Sequence, residues 1–182
     1  DGDAVVAAGN TSRAVTGLDF QPDFVWIKSR SSTADHVLAD SLRGGSDVQG
    51  TDIAIMPNLA NAQGSGVDGG HVKTFDSNGF TVRRGDGGQS GFSAVNRTNK
   101  LYVAFCLRAG GAPTADNDNT SGTMDDGSVF KSGSVQSSYT PSGSPSKYPK
   151  KMSIASHGGF SIIEYEGTGS NLTYPHGLER AP

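Results

Sequence analysis

His71-Val72-Lys73-Thr74-Phe75-Asp76-Ser77-Asn78-Gly79-Phe80-Thr81-Val82-Arg83-Arg84 reads as a hairpin. Two segments with β-branched and aromatic residues flank Asp76-Ser77-Asn78-Gly79, and Asn-Gly supplies the positive-φ positions that a tight turn requires. Upstream, Phe24-Val25-Trp26-Ile27-Lys28-Ser29 starts just after Pro22 and alternates in character, which predicts a strand with Trp26 in the core. His36 to Ala39 reads as the next short strand; Ala54-Ile55-Met56 is too short to assign, and residues 57–71 read as an exposed loop. Downstream, the seven-residue apolar run Leu101-Tyr102-Val103-Ala104-Phe105-Cys106-Leu107 predicts a central strand buried on both faces. Met152 to Ala155 and Phe160 to Tyr165 form a predicted pair around Ser156-His157-Gly158-Gly159.

Composition points the same way. The hydrophobic share is 34% and glycine reaches 26 of 182 residues, which favours short strands joined by many turns. Gly, Pro, Ser, Asn and Asp interrupt nearly every window of about twelve residues, so helix is a minor component. The expected fold is therefore all-β: an antiparallel β-sandwich, jelly-roll or lectin-like, with long Gly/Ser-rich loops and little helix. From Ala109 to Tyr148 the chain turns to Gly, Ser, Asp, Asn and Pro, with weak apolar patches at Ser128-Val129-Phe130 and Ser134-Val135. That stretch reads as an excursion with one or two edge strands, ordered by a neighbouring subunit.

The net charge is −3 and the basic residues are spread along the chain, so no electrostatic footprint for nucleic acid is present. No apolar run approaches the roughly eighteen residues of a membrane span, so no membrane insertion is expected. The single cysteine, Cys106, reads as a packed core side chain and permits no internal disulfide. Stability is left to the core, to bound ions or to neighbouring chains. The chain begins at Asp1 without a signal-peptide pattern, which reads as a processed or incomplete product.

The two ends match at an offset of 160. Gly17-Leu18-Asp19-Phe20-Gln21-Pro22 aligns with Gly177-Leu178-Glu179-Arg180-Ala181-Pro182, and Gly9 aligns with Gly169. In each copy an apolar strand (Ala4 to Ala7, Phe160 to Tyr165) precedes a turn and then Gly-Leu-x-x-x-Pro. The expected organisation is a β-sandwich module over residues 1–159, with residues 160–182 forming either the start of a second repeat or its closing strand. Repeats of this size are usual in surface and fibre proteins.

Several constellations bear on chemistry. Asp116-Asn117-Asp118-Asn119-Thr120 with Asp125-Asp126-Gly127 clusters the hard oxygen donors that Ca²⁺ prefers, and makes Asp116, Asp118, Asp125 and Asp126 candidate ligands. The spacing is not that of an EF-hand, and solvated loop acids are the plainer reading. His36, His71, His157 and His176 lie far apart, with no pair at zinc-ligand spacing. Gly64-Ser65-Gly66 lacks the strand-turn-helix setting of a serine nucleophile, and Gly85-Asp86-Gly87-Gly88 opens no helix to cradle phosphate. Glu164 and Glu166 share a strand face, as paired glycosidase carboxylates do, but they are two of only three glutamates and read as a solvent-facing pair. Tyr139, Tyr148 and Tyr174, in or beside loops, and Tyr102 are candidate platforms for stacking sugars, against the alternative that they anchor loops.

Taken together, Thr16 to Ser31, His36 to Gly44, Phe75 to Val82, Leu101 to Gly111 and Gly159 to Gly169 with His176-Gly177-Leu178 resemble a β-rich domain that recurs in tailed-phage virion structural proteins, especially of marine and cyanobacterial phages. The resemblance covers nearly the whole chain. It departs at Phe105 and Leu107, where that family often has tryptophan, and in the loop Pro57 to Gly70. It implies a non-enzymatic virion structural protein of a tail fibre, appendage or capsid decoration, acting in assembly and host attachment. It carries over no catalytic residue. The implied partners are other virion proteins, further copies of the chain and a host surface glycan. A lectin-like carbohydrate-binding module of a secreted or surface protein is the alternative, and no cofactor is called for beyond Ca²⁺ at the Asp loop.

Overall fold

The computed structural model describes residues 12–45, 54–64, 70–85, 94–157 and 159–179. Over these residues the protein is all-β, with ten strands in three sheets, no helix and no closed barrel. The expected strand at Ala4 to Ala7, the Gly9 match, Ser65 and Asp86 to Gly88 lie outside the described residues. The chain divides into two compact units between Cys106 and Leu107.

The first unit is built outward from its hairpin. Strands β4 (His71–Asp76) and β5 (Gly79–Arg83) pair antiparallel as the Asn78-Gly79 signal predicted, with a register shift between Val72 and Thr74. Gly79 has φ 148, and a Cβ there would run into the Val15 carbonyl, because β1 (Ser12–Thr16) lies against β5. Only glycine admits both that dihedral and that approach. Sheet order is β1-β5-β4. The second sheet runs β3-β2-β6, from β2 (Phe24–Ser29), β3 (Val37–Asp40) and β6 (Tyr102–Leu107), and Ile55 adds one antiparallel bridge to Leu38.

Both sheets feed one core. Val25 and Ile27 of β2, Val37 and Ala39 of β3, Val72 of β4, and Phe80 and Val82 of β5 cluster with Ala54, Ala94 and Val95; Tyr102 and Cys106 of β6 pack against them. Burying side chains of this size contributes about 1.5–3 kcal/mol each for the larger ones. Two expectations are corrected here. In β2 the buried positions are Val25, Ile27 and Ser29, so the period of two turns Trp26 outward, 36% exposed. β6 is an edge strand with one face open: Leu101 beside it is 62% exposed and Phe105 54%. Alternation along β6 sends Tyr102 and Cys106 to the core and Phe105 away from it, which a purely apolar run conceals.

The second unit holds one sheet of order β10-β9-β7-β8, from β7 (Val129–Lys131), β8 (Ser134–Gln136), β9 (Lys151–Ile154) and β10 (Ser161–Glu164). The β9–β10 pair is antiparallel as expected, and it ties residues on both sides of the 159/160 boundary into one sheet. β7 pairs antiparallel with β8 but parallel with β9, so the sheet is mixed rather than purely antiparallel. The stretch read as an excursion with one or two edge strands supplies β7, one of the two interior strands, as well as the edge strand β8. Val129 is fully buried and, with Met124, Met152 and Ile154, makes the second core, against which Tyr139, Tyr148 and Ile163 pack.

The matching segments at the two ends share a backbone signature as well as residues. Gly17 and Asp19 take φ 97 and 57, and Gly177 and Glu179 take 75 and 60. The residues before them differ: 12–16 form β1, whereas 172–176 form no strand and contain Pro175, which has no N–H for a ladder.

Candidate functional site

The Asp/Asn loop is tied inward by hydrogen bonds. Asn117, 3% exposed, donates through Nδ2 to the carbonyls of Asn119 and Pro149, and its Oδ1 accepts the Asp125 N–H at 3.0 Å. Asp125 accepts from the Asp118 N–H and from Asn119 Nδ2, both at 2.7 Å. The other carboxylates meet ammonium groups: Asp118 accepts from Lys150 Nζ at 2.8 Å, and Asp116 pairs with Lys151 Nζ at 3.0 Å. Asp126 stands exposed. The hydrogen bond from Lys150, and then its charge, hold the Asp118 carboxyl below the usual carboxylate range and in turn raise Lys150. Ca²⁺ takes six to eight oxygens, whereas these four aspartates turn to four different surroundings. Among the described residues no group of three His, Cys, Asp or Glu side chains is placed to hold a metal ion.

The three tyrosines in or beside loops separate into two places. Tyr139 packs on the second core, with Lys131 Nζ 5.6 Å from its ring centroid, and burial pushes its phenol up. Tyr148 and Tyr174 come together with Asp118 in one cleft of about 60 Å³, lined also by Thr120, Lys147, Lys150 and Glu166 among others. Both rings are held: Tyr148 Oη donates to the Gly122 carbonyl at 2.8 Å and Tyr174 Oη to that of Glu166 at 2.6 Å. Tyr165, 58% exposed, lies against Tyr174 with centroids 4.8 Å apart. Of the expected glutamate pair, Glu166 reaches this cleft, while Glu164 stands opposite Lys151 in the β9–β10 register.

A second feature was missed by sequence reasoning. On the face of the β3-β2-β6 sheet turned away from its core, Phe105, Trp26, Leu38 and Ile55 follow one another across the strands. Trp26 lies 5.7 Å, centroid to centroid, from both Phe105 and the His36 ring. Its indole N–H donates to His36 Nδ1 at 3.0 Å, which fixes the indole and places the His36 proton on Nε2. The signal was present in the alternation Phe24, Trp26, Lys28 against Val25, Ile27, Ser29, had the second set been taken as the core.

Burial pushes the Cys106 thiol up, away from thiolate. His71 is buried, and His176 Nδ1 accepts the Leu178 N–H at 3.1 Å. A family model described as a domain of unknown function matches residues 3–148, a span that includes all of the first unit's described strands and ends before β9. No curated protein and no solved structure matches the chain.

Proposed function

The chain belongs to the DUF7483 family, and we propose that it is a non-enzymatic structural protein of a virion, a tail-fibre, appendage or capsid-decoration module that assembles with other virion chains and with copies of itself. The observation that carries the reading is the outward face of the β3-β2-β6 sheet, where Phe105, Trp26 and Ile55 are more than a third exposed beside a strand with no charged residue. Contiguous apolar surface of this kind marks contact with another macromolecule. An edge strand without lysine or proline, as β6 is among the described strands, is a template for pairing. The resemblance of the sequence to phage virion domains supplies the setting. At the level of architecture, the reading takes the first unit as an antiparallel sandwich of the jelly-roll or lectin-like kind, supported by the single core that its two sheets share.

Sedimentation velocity on the full chain tests the proposal. Association that grows with concentration and is lost in Phe105→Lys, at unchanged melting temperature, is expected. A chain that stays strictly monomeric, alone and when mixed with the other virion proteins of its source, would overturn it.

A further inference from the structure

The geometry points to a second property, a binding site for one ring of a neutral sugar in the Tyr148/Tyr174 cleft of the second unit. It does not depend on the assembly reading, since the apolar sheet face lies in the first unit and loss of either property leaves the other intact.

The size and openness of the cleft limit the occupant. About 60 Å³ is far below the roughly 300–1,000 Å³ of a pocket that engulfs a drug-sized molecule. The ligand therefore lies on the cleft rather than inside it, against a mostly polar lining in which the partly buried rings of Tyr148 and Tyr174 can meet one apolar face. A pyranose ring presents that face, with hydroxyls around its rim.

Charge decides the class of sugar. The cleft is lined by two ammoniums, Lys147 and Lys150, and two carboxylates, Asp118 and Glu166. Lys150 and Asp118 neutralise one another. Lys147 and Glu166 form no close ion pair among the described residues, although the Glu166 charge reaches Lys150, and they offer the cleft a donor and an acceptor of opposite sign. An acidic sugar would face Glu166 and a cationic ligand would face Lys147. A hydroxyl accepts from one and donates to the other, so a neutral polyol satisfies both.

The walls are set before any ligand arrives. Both tyrosine rings are fixed by their hydroxyls, and the loop carrying Asp118 and Thr120 is held by Asn117 and by Asp125. Little ordering entropy remains to be lost on binding. The loop that suggested a calcium site in the sequence is thus a brace for the cleft.

The test is amide chemical-shift mapping on the full chain, with glucose, galactose, mannose, N-acetylglucosamine and sialic acid each titrated into the millimolar range. The expected result is saturable shifts centred on Asn119, Thr120, Tyr148 and Tyr174 with at least one neutral sugar, weakened about tenfold in Tyr174→Ala and clearly less in Tyr174→Phe, which keeps the ring but loses the hydroxyl that fixes it. Should Tyr174→Ala fail to fold, Lys147→Met and Glu166→Gln take its place, each expected to weaken binding severalfold at an unchanged melting temperature. No saturable shift with any neutral sugar, shifts centred elsewhere, or tighter binding of sialic acid would overturn the assignment.

Discussion

Ser153 shows how much one oxygen can hold. It is fully buried in β9, and its Oγ accepts the N–H groups of Gly110 and Gly111 at 2.9 and 3.0 Å while donating to the Gly111 carbonyl at 2.6 Å. Ser153→Ala removes little volume but strips three backbone groups of their partner, each worth about 1–3 kcal/mol when buried. Gly111 is partly open to water, so we expect a loss of about 2–4 kcal/mol rather than the full sum, read as a lower denaturant midpoint at unchanged slope. Gly79→Ala should also destabilise, by at least about 2 kcal/mol, because its Cβ meets the Val15 carbonyl and its φ is strained for alanine. At Asp118 the measurement is a pH titration. Its folded pKa is depressed by Lys150, so the pair's contribution is present above the unfolded carboxyl value and is lost as pH falls through the lower, folded one. A carboxyl titration followed by NMR should find Asp118 ionised below its normal range, returning to it in Lys150→Met. Asp118 is exposed and Lys150 partly so, so added salt should shrink the shift.

At the scale of elements, β6 and β7 behave oppositely to their composition. β6 is all apolar and sits at an edge, so Phe105→Lys should change stability by no more than about 0.5 kcal/mol. Met152→Ala in β9, at a fully buried side chain in the second core, should cost about 2–5 kcal/mol by chemical denaturation. The same contrast explains what could be read in advance. The β4–β5 hairpin was legible because turn chemistry and alternation agree at Asn78-Gly79 and at Phe80 and Val82. The β9–β10 pair was legible from two apolar segments around a short glycine turn. The place of β6 was not, since seven apolar residues in a row carry no period to say which face is inward. Nor was the place of β7: its core neighbour Met124 stands alone among polar residues, and Met152 reaches it through a parallel pairing that no local signal announces. Of the candidate site, Tyr148, Tyr174 and Asp118 were named from residue type alone. Lys147, next to Tyr148 in the chain, and Glu166 were not joined to them, because nothing in the local sequence says that the loops around 118, 148 and 174 meet.

At the scale of the whole molecule, the described residues form two cores, one in each unit, built from separate sets of side chains. Substitutions in different cores share no partner, so Phe80→Ala and Met152→Ala should add within about 0.5 kcal/mol in the double variant. Native-state hydrogen exchange should show each lowering protection in its own unit alone; loss of protection across both units from either substitution would contradict independent cores. The pairing of β1 with β5 also sets a timetable. Thr16 meets Gly79 and Ser12 meets Arg83, so β1 leaves the ribosome long before its partner exists. At about 5–20 residues per second the wait is roughly 3–13 s, while the β4–β5 hairpin, once made, closes in about 1–10 μs. During translation the first strand of the described chain therefore waits until β2, β3 and β4 have been made and β5 follows, and for those seconds it is open to any chaperone or neighbouring nascent chain that offers an edge.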